Sequence, residues 1–159
     1  MKIIIGSDHA GYDLKERIKK YLDRKKISYE DCGTNSKESV DYPIYAKKVA
    51  NLVVKNKKLG ILICGSGTGM VIAANKVKGA RAAIAYDNYS AKMARFDNNA
   101  NILTLRGRFV TYEKQLKIVK TFLETKFSGK ARHKKRIGML KWKYMDQLLQ
   151  KIEETSMIK

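Results

Sequence analysis

Leu59-Gly60-Ile61-Leu62-Ile63-Cys64-Gly65-Ser66-Gly67-Thr68-Gly69 decides how this chain folds. Its first half is a continuous apolar run, without the polar alternation of a half-exposed strand, and such runs belong to strands covered on both faces of a parallel sheet. Its second half is a glycine-rich polar turn, and the spacing after Thr68 predicts a helix. Four more runs read as strands: Lys2-Gly6, a weaker one at Ile27-Asp31, Ala80-Tyr86 and Asn101-Leu105. Between them lie amphipathic stretches. Leu14, Ile18 and Leu22 make one helical stripe; Tyr45, Val49, Leu52 and Val53 make another, with Asp41 as its cap and Pro43 in its first turn. A short helix spans about Tyr89 to Phe96, and a further one carries Leu116, Val119 and Leu123. Strand and helix alternate as in βαβ units, which predicts an α/β fold: an αβα sandwich around a five-stranded parallel sheet.

Beyond Gly129 the pattern changes. The basic segment Lys130-Ala131-Arg132-His133-Lys134-Lys135-Arg136 leads into a C-terminal helix, about residues 137–155, with Ile137, Leu140, Tyr144, Leu148 and Ile152 on one face. A helix added to a complete sandwich must bury that face, and a second copy of the chain is a natural place. At 159 residues, without internal repeat or long linker, residues 1–159 read as one domain. No apolar run reaches the ~20 residues that cross a bilayer, and Ile3-Ile4-Ile5 is interrupted too early for a signal peptide, so a cytoplasmic protein with no membrane association is expected. Cys32 and Cys64 cannot form a disulfide framework for a chain this long. The net charge of +19 raises nucleic acid as a partner. The excess is spread, +11 over residues 1–112 and +8 over 113–159, and 26 of the 34 basic residues are Lys, which suits solvated helix faces better than specific base readout.

Ligands of open parallel sheets bind beyond the carboxyl ends of the strands, and here those ends are polar. The first strand ends in Gly6-Ser7-Asp8-His9-Ala10-Gly11, the third in Cys64-Gly65-Ser66-Gly67-Thr68-Gly69, and Asp97-Asn98-Asn99 precedes the fifth. The glycine-rich turn lacks the Lys-Ser/Thr of a phosphate-binding P-loop and does not fit GxGxxG. It offers free backbone N–H groups at a helix start, a place for an anion, with Cys64 at its lip. There a thiol becomes a usable thiolate, although a Cys ending a strand is more often inert and buried. The Asp8-His9 pair either caps the helix behind it or faces the ligand. Segment 130–136 reads either as a solvated basic loop or as a phosphate clamp, with Arg132 and Arg136 one helical turn apart. No Cys/His spacing suggests a metal.

Taken together, Gly6-Ser7-Asp8-His9-Ala10-Gly11, Asp41-Tyr42-Pro43, Cys64 to Gly69 followed by Ala73-Ala74-Asn75-Lys76, Asn98-Asn99-Ala100-Asn101, and Arg132-His133 with Arg136 resemble the ribose-5-phosphate isomerase B family, which includes the galactose-6-phosphate isomerase subunits. The resemblance runs colinearly over about residues 1–137. It implies a Rossmann-like sheet, a homodimer or homotetramer, no metal or organic cofactor, and an aldose-ketose isomerase of the pentose phosphate pathway; because Arg132 and Arg136 sit just before the terminal helix given to the partner chain, an active site shared between subunits is expected. It also implies roles: Cys64 as the base, assisted by Ser66 or Thr68; the N–H groups from Gly65 through Gly67 to Gly69 for the enediolate oxygen; Asp8, His9 and Tyr42 lining the pocket; Asn98 on a sugar hydroxyl; and Arg108, Arg132 and Arg136 for the phosphate. At Asp97 the family usually has a His, the acid that opens the furanose ring. With Asp97 there, ring opening proceeds differently or the substrate is another one. A hexose 6-phosphate of the allose or galactose type is the alternative substrate, and a nucleic-acid-binding protein on an inactive isomerase scaffold is the alternative of another class.

Overall fold

The computed structural model describes residues 2–140 together with Gln147 and Ile152. Five strands form one sheet: β1 (Lys2–Ser7), β2 (Ser28–Asp31), β3 (Leu59–Cys64), β4 (Ala82–Ile84) and β5 (Ile102–Arg106). Their order is β2-β1-β3-β5-β4 and every pairing is parallel, as expected of apolar runs too continuous to face water. The chain winds from β1 outward to β2, then returns to build β3, β5 and β4 on the other side. The carboxyl ends of β1 and β3 therefore flank the crevice where such sheets take ligands.

Among the described residues, α1 (Tyr12–Arg24), α2 (Tyr42–Asn56), α3 (Thr68–Asn75), α4 (Asn88–Phe96) and α5 (Tyr112–Glu124) cover the sheet, and α6 (Ala131–Met139) follows α5. Alternation along each strand divides the core in two. Ile3, Ile5, Ile61, Ile63, Leu103 and Leu105 face α1, α4 and α5, while Ile4, Leu62, Cys64 and Ile102 face α2 and α3. Leu14, Ile18 and Leu22 are buried on α1 as their spacing requires.

Four expectations need correction. On α5 the buried stripe is Ile118, Val119 and Phe122, with Leu116 and Leu123 only half-buried, because Phe122 carries the largest apolar surface and turns the helix toward it. Asp41 stands at the N-cap of α2, but its side chain makes no capping hydrogen bond. Ala80 and Tyr86 fall outside β4: Ala80 N–H closes a turn on Val77, and Tyr86 N–H is taken by Ser90 Oγ in the cap of α4. The basic segment is no loop: residues 131–136 are the first turns of α6. Of the expected C-terminal apolar face, Ile137 is half-buried, Leu140 and Ile152 are exposed, and Tyr144 and Leu148 lie outside the described residues.

Two polar devices complete the frame. At the sheet margin the Asn75 amide brackets Ala82, accepting from its N–H (2.8 Å) and donating to its carbonyl (2.9 Å). Below β2, the Lys15 side chain is completely buried, its ammonium 2.6 Å from Asp31 and 3.1 Å from Glu16. Burial pushes the Asp31 carboxyl up, but hydrogen bonds from Lys15, Lys19 and Gly33 N–H outweigh it and hold the group below the ordinary carboxylate range. A carboxyl held down stabilises the fold above its unfolded-state value and loses that contribution as pH falls through its folded value. Asp31→Asn should therefore cost roughly 2–4 kcal/mol in urea unfolding near neutrality, because it strips the buried Lys15 of its nearer partner. The stability lost by the wild type on acidification from about pH 6 to about pH 3 should shrink in the variant. Equal acid sensitivity of the two proteins would remove Asp31 from this role.

Candidate functional site

After β3 the chain enters the nest. Cys64 is only 4% exposed, and its sulfur accepts the Gly67 N–H at 3.1 Å. Gly67, the N-cap of α3, holds φ 83°, a left-handed conformation that turns the chain over the ends of β5 and β4. A Cβ there would lie 2.8 Å from Ile84 Cδ1 and 3.1 Å from the Leu105 carbonyl carbon. Ser66 Oγ accepts from Thr68 N–H (3.3 Å), and both side chains are exposed beside the sulfur. Tyr42, at the start of α2, lays its ring on Gly69, so close that a Cβ at that glycine would sit 2.7 Å from the ring.

The β1 end meets the same crevice. Asp8 N–H bonds Ile63 O (3.2 Å), and the Asp8 carboxylate caps the 3-10 turn His9–Gly11 by accepting from Gly11 N–H (3.0 Å). Burial pushes that carboxyl up from its ordinary value, against the pull of Gly11 N–H, His9 and Arg108. The expected cap is thus on this short turn and not on helix α1, whose N-cap is Gly11 without a side-chain bond, and Asp8 still borders the crevice. His9 Nδ1 accepts from Val40 N–H (3.2 Å), which puts the proton of the neutral ring on Nε2 and makes that edge a donor. Past β5, Gly107 N–H and Arg108 N–H bond the carbonyls of Cys64 and Gly65, and the Arg108 side chain runs beside Gly65. Asp8, His9, Tyr42, the 64–69 nest and Arg108 therefore converge on one crevice.

Asp97, Asn98, Arg132 and Arg136 do not join them. Asp97 is the C-cap of α4, and the loop after it is tied down by Arg95, which bonds Asn99 Oδ1 and Ala100 O. In a parallel sandwich helices run back, so this loop lies at the amino end of β5 while Arg108 leaves its carboxyl end. The five residues of β5 separate them by ~15 Å. Asn98 instead lines a largely apolar groove of about 920 Å³ with Arg81, Ala82, Ile137 and Leu140. Arg132 and Arg136 stand exposed on α6.

Sequence reasoning passed over His133, which is 3% exposed although it lies in a run of charged residues. Its Nδ1 is 2.6 Å from Ser128 Oγ and 3.5 Å from Asp97 Oδ1, and its Nε2 accepts from Arg132 Nε at 3.0 Å. Arg106 was missed as well: it is the register neighbour of Cys64, its guanidinium lies over the Tyr86 ring, and its buried Nε has no hydrogen-bond partner. Among the described residues no three His, Cys, Asp or Glu side chains gather as a metal site, and no helix is long and apolar enough to cross a membrane.

A family model described as Ribose/Galactose Isomerase matches residues 3–140. A putative sugar phosphate isomerase of Rickettsia bellii is 46% identical over 136 residues, 85% of this chain and 94% of its own length. The probable ribose-5-phosphate isomerase B of Mycoplasma genitalium is 47% identical over 141 residues, 87% of this chain and 92% of its own. Among solved structures, ribose-5-phosphate isomerase B of Clostridium thermocellum superposes with a TM-score of 0.85 at 48% identity, covering 88% of this chain and 95% of that one. The Mycoplasma genitalium enzyme with bound ribulose-5-phosphate gives 0.83 at 45% identity, covering 87% and 93%.

The nest depends on Gly67. Gly67→Ala imposes a left-handed alanine, ~1–2 kcal/mol, on top of the contacts above. The thermal midpoint should fall by roughly 2–8 °C, and a midpoint unchanged by the substitution would show that the turn is not strained.

Proposed function

Because the chain belongs to the ribose/galactose isomerase family, we propose that it interconverts ribose 5-phosphate and ribulose 5-phosphate through an enediolate. The observation that carries this reading is the sulfur of Cys64, set under a backbone N–H at the start of α3 and bordered by exposed Ser66 and Thr68. The chemistry moves one proton between neighbouring carbons. Cys64, as thiolate, takes the C2 proton of the open aldose; the electron pair enters the C1–C2 bond and O1 becomes an oxyanion. The proton then returns to C1 while the O2 hydrogen passes to O1, and no atom is lost. The backbone N–H groups of the nest other than those of Gly67 and Thr68, which Cys64 Sγ and Ser66 Oγ accept, would hold the oxyanion, fixed dipoles that need no rearrangement as charge develops. Ser66 and Thr68 are placed to relay hydroxyl protons, and Tyr42 and Asp8 shape the pocket.

Ring opening and phosphate capture need the second cluster. Asp97, Asn98, Arg132 and Arg136 lie at the far end of the sheet from Cys64, so in this reading the working unit is at least a homodimer in which a partner's α4–β5 loop and α6 complete each crevice. The exposed Arg132 and Arg136, with Arg108, would grip the phosphate, and Asn98 would hold a hydroxyl. His9 Nε2–H would protonate the ring oxygen while the Asp97 carboxylate accepts the anomeric proton, dividing between two residues what a single His does in the family. The chain then works as one isomerase domain in cytoplasmic pentose phosphate metabolism.

Cys64→Ala should lower kcat at least ~100-fold without unfolding the protein, and near-normal turnover would dismiss Cys64 as the base. Mixing that variant with inactive Arg132→Ala/Arg136→Ala chains should restore activity, since each hybrid keeps one intact site. Hybrids that form yet stay inactive would place the whole site within one chain. Asp97→Asn should slow ribose 5-phosphate about tenfold or more while leaving ribulose 5-phosphate, which has no ring to open, within about threefold. Equal losses on both sugars would assign Asp97 to proton transfer or to structure.

A further inference from the structure

His133 is too buried to touch a substrate, yet it meets two groups assigned above to substrate. A guanidinium Nε can only donate, so the Arg132 contact makes His133 Nε2 an acceptor and leaves the ring proton on Nδ1. Nδ1–H points to Ser128 Oγ, which also accepts from Lys130 N–H, with Asp97 Oδ1 3.5 Å away. Phe96 closes one side, its ring edge-on to the imidazole at 6.3 Å with Lys130 Nζ over its face.

We propose that His133 is a positioning residue that aligns Arg132 for the phosphate through a hydrogen bond to Nε2 and orients Asp97 for ring opening through the dipole of its Nδ1 edge, which is bonded to Ser128 and lies 3.5 Å from the carboxylate. With Nε engaged, the Arg132 guanidinium is left to present its two terminal NH₂ groups, the edge that forks onto a phosphate. A neutral imidazole turns a dipole, and no net charge, toward Asp97, which orients the carboxylate while leaving it free to accept a proton. A protonated ring would do neither, because Nε2–H would confront Arg132 Nε–H and the imidazolium would bind Asp97 as an ion pair. The inference rests on the isomerase reading above.

Two substitutions separate the contacts. Gln reaches about as far as Nε2, so His133→Gln keeps an acceptor for Arg132 and loses the donor facing Asp97. Asn reaches about as far as Nδ1, so His133→Asn does the reverse. With ribose 5-phosphate and ribulose 5-phosphate as probes, His133→Asn should raise KM about tenfold for both sugars with kcat within about threefold. His133→Gln should hold KM within about threefold and lower kcat about tenfold on ribose 5-phosphate alone. Joint loss of kcat and KM on both sugars in both variants, or no loss in either, overturns the proposal. If neither variant folds, Arg132→Lys, which keeps the charge but removes the Nε donor, should raise KM about tenfold, and an unchanged KM overturns it. Wild-type protein inactive on both sugars would instead sink the isomerase reading itself; an active wild type whose variants fail the split sinks only this inference.

Discussion

Every strand of the sheet points the same way, and that polarity governs where chemistry can occur. Parallel strands deliver their carboxyl ends to one rim, and the helices that return the chain deliver theirs to the other. Asp8, His9 and the 64–69 nest follow strands; Asp97 and Asn98 end a helix. No rotamer change joins the two groups across the length of β5. The proposal that both sets serve one reaction therefore brings with it a site between copies, and that demand comes from strand direction, not from the size or stickiness of any surface.

Within the first cluster the backbone does most of the positioning. The sulfur of Cys64, the carboxylate of Asp8 and Nδ1 of His9 each accept a main-chain N–H, from Gly67, Gly11 and Val40. Such contacts leave few ways for the side chain to move and fix which atom faces the crevice. The second cluster is arranged differently. Around His133 the contacts run from side chain to side chain, through Ser128, Arg132 and Asp97, and only the loop beneath is locked, by Arg95.

That contrast also explains what the sequence could and could not reveal. Strand β3 ends where its apolar run ends because the run is central and bonded on both sides, and the nest follows from glycines whose conformation is local. Strand β4 was overread, since an edge strand has one partner and its ends are claimed by the neighbouring turn at Ala80 and the cap of α4 at Tyr86. The stripe on α5 was misplaced because Phe122, four residues beyond Ile118, outweighs Leu116 and Leu123. His133 was illegible for a deeper reason. Nothing in a run of Lys and Arg marks one member as buried; its partners Ser128 and Asp97 reach it through the tertiary fold.

The Asn75 bracket on Ala82 has a consequence for assembly. The outer margin of a sheet is an invitation to another strand, and chains that accept it can add copy after copy without limit. Here the amide has already taken the N–H and carbonyl that a foreign strand would use. Beside that bracket the margin presents the side chains of Asn98, Ile137 and Leu140. With both groups of Ala82 engaged, a strand laid along this margin loses one rung of its ladder on an already short edge.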